Sequence, residues 1–257
     1  MRAFIIAIFF SIVSITLQAQ THDCVFHAGI ANALIGGIYD GIYPYDKLKS
    51  QGNFGIGAPA DIDGELTVLD GHVYQTRYTG ETLEPSDSAL ASFASVHHFK
   101  KDTSFLLVGN FSKQQLLNVL DSLFPSQTSM YSFKIKGDFY YVKTRAFPPV
   151  YERPALPLSS LLDKQHFFEF NNRVGTFVGY RLPSFLNIWS IPGYHFHWLP
   201  KDLKGGGHVV DFISREVVIE VDFLQSFTVW IPETAAYRQF DLQQNMDVNV
   251  KKVEDGK

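Results

Sequence analysis

The sequence predicts a mixed α+β fold dominated by sheet, arranged as two sub-domains with few helices. Three observations carry that expectation. Short runs rich in Val, Ile, Phe and Tyr recur along the chain, bounded by Gly, Pro, Asn and Asp. Only Lys113 to Phe124 has clear helical spacing, with Leu116, Leu117, Val119, Leu120 and Leu123 placed for one apolar face. No internal repeat or low-complexity tract points to a solenoid or a disordered chain.

Taken in order, residues 28–38 predict a short helix ended by glycines. Tyr45 to Gly52 predicts one or two helical turns, and Gly55-Ile56-Gly57 reads as a tight loop. Gly64 to Leu69 reads as a strand, Asp70-Gly71 as a hairpin turn, and His72 to Tyr78 as the returning strand. Ala91 to Phe99, Phe105 to Val108 and Ser132 to Thr144 are further strands. The proline-rich stretch from Phe147-Pro148-Pro149 to Pro157 breaks regular structure and sets a boundary. Beyond it, strands are expected near 167–170, 174–181, 193–198, 208–214, 216–224 and 226–231. The expected organisation is a signal peptide over 1–19, an N-terminal α/β half over 20–146, and a C-terminal half over 147–257 that carries the metal site on its strands.

The first residues bear on the compartment. Met1-Arg2-Ala3 is a short basic start, Phe4 to Leu17 is almost wholly apolar, and Gln18-Ala19-Gln20 offers a cleavage point. That is the pattern of a secretory signal peptide, so the chain is expected to be secreted or periplasmic. The apolar run is short for a membrane span, although retention as an anchor is the alternative. No stable membrane insertion is expected once the signal is cleaved. Cys24 is the only cysteine, which rules out an intrachain disulfide. The formal net charge is −4, without a Lys/Arg cluster, and this argues against nucleic acid as a partner. With 15% aromatic residues, the chain has ample side-chain volume for a core.

Gly193-Tyr194-His195-Phe196-His197 is the stretch with the most chemistry in it. Two residues apart on a strand, His195 and His197 point to one face, roughly 6.6 Å apart. The polar segment from Leu199 to Gly207 reads as a turn, and His208-Val209-Val210-Asp211-Phe212 as a returning strand. Such a hairpin can bring His208 beside the other two. Three neutral imidazoles with an open fourth position are the usual form of a catalytic zinc site. The plainer reading makes each histidine an ordinary polar residue on a strand.

Other candidates carry little signal alone. Glu65 follows Gly64 in a probable strand and could face a site or water. Arg145 ends a strand just before the proline break, where a surface cation or a structural ion pair is the default. Glu254 lies in the mixed-charge tail Lys251 to Lys257, which composition alone would call a solvated end.

Several motifs in order shift those weights. Leu48 to Gly57, Asp63-Gly64-Glu65-Leu66, Leu69-Asp70-Gly71, Arg173 to Arg181, Pro192 to Leu199 and Gly206 to Phe212 together resemble the α-acetolactate decarboxylase family. The resemblance spans nearly all of the chain after residue 19. It implies a carboxy-lyase that converts 2-acetolactate to (R)-acetoin and carbon dioxide with Zn2+, and a homodimer. It places the zinc ligands on His195, His197 and His208, the family's strand glutamate on Glu65, and its active-site arginine on Arg145. The family's C-terminal glutamate, folded back toward the metal, falls on Glu254. One departure is Ala58, where the family commonly has threonine. In this reading Arg145 holds the substrate carboxylate by paired hydrogen bonds, and Glu65 or Glu254 delivers a proton. The rival readings are a cupin-like metalloenzyme and a secreted binding protein of the same fold without catalysis. Cupins usually have a glutamate soon after the His-x-His pair, and Trp198-Leu199-Pro200-Lys201-Asp202 has none.

Overall fold

The structure, a computed structural model, describes residues 23–255. The expected signal peptide, residues 1–19, lies outside the described residues. Two sheets carry the fold. The first contains β1 (Cys24–Ala28), β2 (Tyr43–Pro44), β3 (Phe54–Pro59), β4 (Glu65–Leu69), β5 (His72–Thr76), β6 (Thr82–Leu83) and β7 (Leu90–His97). The second contains β8 (Thr103–Ser112), β9 (Met130–Ala146), β10 (His166–Leu182), β11 (Gly193–Pro200) and β12 (Gly207–Leu224). β13 (Ser226–Trp230) then returns to the first sheet and pairs parallel with β1. The orders are β13-β1-β7-β3-β4-β5-β6, with β2 on β7, and β11-β10-β9-β12-β8. The start of β12 also pairs with β11, so β9, β10, β11 and β12 close on themselves. The sheet-dominated α+β expectation holds.

The helices are short: α1 (Ala31–Ile35), α2 (Tyr45–Gln51), α3 (Lys113–Leu123), α4 (Ala235–Gln239) and α5 (Asp247–Asp255). Among the described residues, no helix is long and apolar enough to cross a membrane. α3 starts where Ser112 and Gln115 form a reciprocal cap: the Gln115 amide donates to Ser112 Oγ, and the Ser112 amide to Gln115 Oε1 at 2.9 Å. Its Leu116 and Leu120 are fully buried against Phe133, Phe139, Phe177, Phe196, Trp198 and Phe212. Each of those aromatic rings sits on one face of a strand in the second sheet, and Phe139 stacks on Phe177 at 4.4 Å. Between the sheets lies a second cluster with Val25, Phe54, Ile56, Val178 and Tyr180.

The structure differs from the sequence expectation at several points. Gly55-Ile56-Gly57 is mid-strand in β3 rather than a tight loop. A Cβ on Gly55 would lie 2.1 Å from the Ser95 carbonyl, and one on Gly57 2.3 Å from that of Phe93, so these glycines serve close approach of β7. The expected strand pairs 167–170 with 174–181 and 208–214 with 216–224 are single long strands, β10 and β12. Arg215 is absorbed as a bulge, where the register shifts between Ser214 and Glu216. The expected boundary at 146/147 does not separate the sheets. β9 ends there, yet it pairs with β10 and β12 beyond the prolines, and the change of sheet falls between His97 and Thr103. Strand pairing outweighs the proline break because the connection loops out and returns to the same edge.

A polar bridge also joins the sheets. His97 on β7 lies fully buried, with Nδ1 2.9 Å from Tyr180 Oη on β10 and Nε2 3.3 Å from Asp222 Oδ2 on β12. Burial pushes the imidazole below its ordinary pKa, although Asp222 opposes this. Tyr180→Phe should cost about 1–3 kcal/mol in urea unfolding, because it leaves the buried His97 Nδ1 without its partner. Unchanged stability would mean that the bridge contributes nothing.

Candidate active site

Three strands in one rung deliver most of the site. Arg145 on β9 is the cross-strand partner of His208 on β12, and His208 is the partner of His197 on β11. His195 lies two residues along β11, on the face opposite Tyr194, Phe196 and Trp198. The even-numbered rings fill the core beneath α3, so the two histidines must face the first sheet. There Glu65 opens β4, and α5 lays Val253 and Glu254 across the remaining side. All six residues singled out from sequence therefore meet at one cavity.

The three imidazoles converge. Their ligating nitrogens lie within 4.8 Å of one another, and His195 Nε2 is 3.0 Å from His208 Nδ1. Nitrogens bound tetrahedrally at about 2.0–2.1 Å to an ion would sit roughly 3.3 Å apart, so the spacing suits one ion. His197 Nδ1 donates to the Leu66 carbonyl at 2.8 Å. That fixes its tautomer and turns the Nε2 lone pair inward. Burial, chiefly, lowers the His195 pKa to about 3, with the Arg145 and Lys113 charges adding to it. The same causes hold His208 well below its usual value, and burial followed by His195 does so for His197. All three are neutral at physiological pH, as ligands must be. They could hold a metal ion.

The carboxylates flank this set. Glu65 Oε1 accepts from Arg145 Nη1 at 2.9 Å, and its Oε2 is 3.3 Å from His197 Nε2. Burial raises the Glu65 pKa to about 8, Arg145 opposing and Glu254 reinforcing the shift. A carboxylate and an imidazole lone pair that close require a proton or a cation between them. Glu254 Oε2 stands 3.8 Å from His208 Nε2 and 4.0 Å from His195 Nε2.

Arg145 is placed differently from a free clamp. One arm is committed to Glu65, and Nη2 donates to the Val253 carbonyl at 3.1 Å. Its guanidinium also lies 5.0 Å from the centre of the Phe147 ring. The buried Nε is left without a partner, and Nη1 and Nη2 each keep one N–H beyond these contacts. Leu34, Ile35, Ala58, Ile62, Phe93, Phe147, Leu158 and Ile191 supply the apolar wall. Ala58 faces the cavity, so its methyl extends that wall. Apart from Ala58, sequence reasoning missed these residues and the carbonyls of Leu66 and Val253. They come from many elements, and backbone acceptors leave no residue-type signal.

The family profile described as alpha-acetolactate decarboxylase matches residues 25–244. The chain belongs to that family. A relative named alpha-acetolactate decarboxylase from Methanosarcina mazei is 34% identical, over 93% of this chain and 82% of the relative. Another of that name, from Methylococcus capsulatus, is 30% identical over 93% of this chain and 91% of its own length. The crystal structure of alpha-acetolactate decarboxylase from Bacillus subtilis superposes with a TM-score of 0.86 at 26% identity, covering 91% of this chain and 99% of that one. As a member of the acetolactate decarboxylase family, the chain is a carboxy-lyase. Glu254 lies beyond the matched span, so its place at the site rests on α5 alone.

His208→Ala and His195→Ala should each abolish one-to-one binding of a divalent ion, measured by metal analysis after dialysis. Retention of a stoichiometric ion by both variants would remove the imidazole triad as its site.

Proposed function

We propose that this chain catalyses zinc-dependent decarboxylation of 2-acetolactate to (R)-acetoin and carbon dioxide. The observation that carries this reading is the convergence of three neutral imidazoles with Glu65, Arg145 and Glu254 on one cavity, in a chain of this family. His195, His197 and His208 would hold the ion. Zinc there supplies a Lewis acid for the ketone oxygen, which must accept the electrons left when the bond to the carboxylate breaks.

The protein's own groups do the rest. Arg145 lines the cavity with Nε unpartnered and one N–H left on each of Nη1 and Nη2, so it can hold the substrate carboxylate. Weak ground-state binding favours its loss, since stabilising the carboxylate would deepen the well from which it departs. The apolar wall excludes water from the carbon that lost carbon dioxide, so the proton it gains must come from a placed group. Glu65 and Glu254 are the two carboxyl groups beside the imidazoles. Delivery from a fixed side makes the product one enantiomer.

The purified chain should release a single acetoin enantiomer from racemic 2-acetolactate, and a chelator should stop it. No acetoin from the folded, zinc-loaded chain would sink the proposal and leave a binding protein of this fold. Glu65→Gln should retain zinc while kcat falls by about 10²–10⁴. Loss of the ion instead would make Glu65 a support for His197 rather than an acid.

A further inference from the structure

We propose that the hydroxyls of Thr144 and Thr82 position the glycine loop that presents His208, and so set the affinity of the site for its metal ion. This rests on the reading of His195, His197 and His208 as ligands. His208 follows directly on Gly205-Gly206-Gly207, whose φ angles are +109°, +145° and +111°. These angles are ones that side-chain-bearing residues rarely adopt. The space is also closed to side chains. A Cβ on Gly206 would lie 2.7 Å from the Trp198 carbonyl and 2.8 Å from Thr76 Oγ1, and one on Gly207 would lie 2.7 Å from the Arg145 carbonyl.

The loop is thus pressed between β11, β5 and β9 with no side chains of its own to lock it. Two hydroxyls take that part. Thr144 Oγ1 donates to the Gly206 carbonyl at 2.5 Å, and Thr82 Oγ1 donates to the Gly205 carbonyl at 2.6 Å. Thr144 is fully buried on β9, beside Arg145, and is the cross-strand partner of Val209. A hydroxyl has one hydrogen, and that of Thr82 goes to Gly205. Thr82 therefore accepts from Thr76 Oγ1, 2.9 Å away, and Thr76 pairs with Glu65 across β4 and β5. The loop is consequently tied to the strand of Arg145 on one side and to the hairpin of Glu65 on the other. Without these donors the buried carbonyls would turn to find others, and three glycines offer many ways to turn. His208 would move with them, whereas metal ligands must sit within about 0.2 Å of their bonding distances.

The test is the dissociation constant for zinc ions of the full chain, by competition with a chromogenic chelator, beside the Tm of the metal-free protein. Thr144→Val and Thr82→Val keep the shape and remove the hydroxyl. Each is expected to weaken zinc binding about tenfold or more, and Thr144→Ser to restore it. Unchanged affinity in both valine variants, or a serine variant as weak as the valine one, overturns the proposal. So does a lower Tm with zinc affinity intact, which is what a purely structural role would give. Thr82 is only half-buried, so its variant serves if Thr144→Val does not fold. His208→Ala, measured in parallel, separates the two readings. If it loses zinc while both valine variants keep it, only the threonine inference fails. If it keeps zinc, the ligand reading fails, and this inference with it.

Discussion

His197 and His208 face each other because β11 meets β12 over a single short register, His197 with His208 and Trp198 with Gly207. That pairing closes four strands into a ring, and the rest of the site depends on the closure. The same rung continues from His208 to Arg145 and on to Phe167. Alternation along each strand then decides which side chains face inward to the aromatic core and which face the first sheet. Because Phe196 and Trp198 are large and fully committed to the core, slipping β11 by one residue would exchange imidazoles for aromatic rings. The packing beneath α3 therefore protects the chemistry on the opposite face.

Burial shapes the electrostatics of that face. Taking three imidazoles out of water keeps them neutral, and Arg145 nearby reinforces the effect on each. The guanidinium would be an expensive charge to bury alone. It is offset by Glu65, by the Val253 carbonyl and by the face of Phe147. Those contacts also tie together β4, β9 and α5, so one cation organises three elements that have no strand pairing in common.

Much of this was legible in the sequence, and the exceptions have physical causes. The His-x-His pair, the glycine turn and the returning histidine follow from strand periodicity, which is local. The signal for α3 was equally local, in its leucine spacing. Glu65 and Arg145 could not be weighed alone, because what makes them informative is a partner eighty residues away along the chain. β3 was misread because its glycines serve a neighbouring strand rather than a turn. β10 and β12 were read as broken because polar interruptions that a long strand absorbs look like turns locally. The tail composition gave no hint of α5, whose Val250 and Val253 enter the core while the charges around them stay outside.

The parallel pairing of β1 with β13 has a consequence for how the molecule reaches this state. One edge of Cys24 to Ala28 is filled only by Ser226 to Trp230, near the other end of the chain, while its other edge pairs with β7. In the second sheet, the pairing of β9 with β12 likewise joins residues distant in sequence. Such a topology folds slowly, since loop-closure entropy is lost before the distant contacts form. The three histidines lie within one hairpin, whereas Arg145 and Glu65 join them only once β9 and the first sheet are in place, so the cavity is completed late.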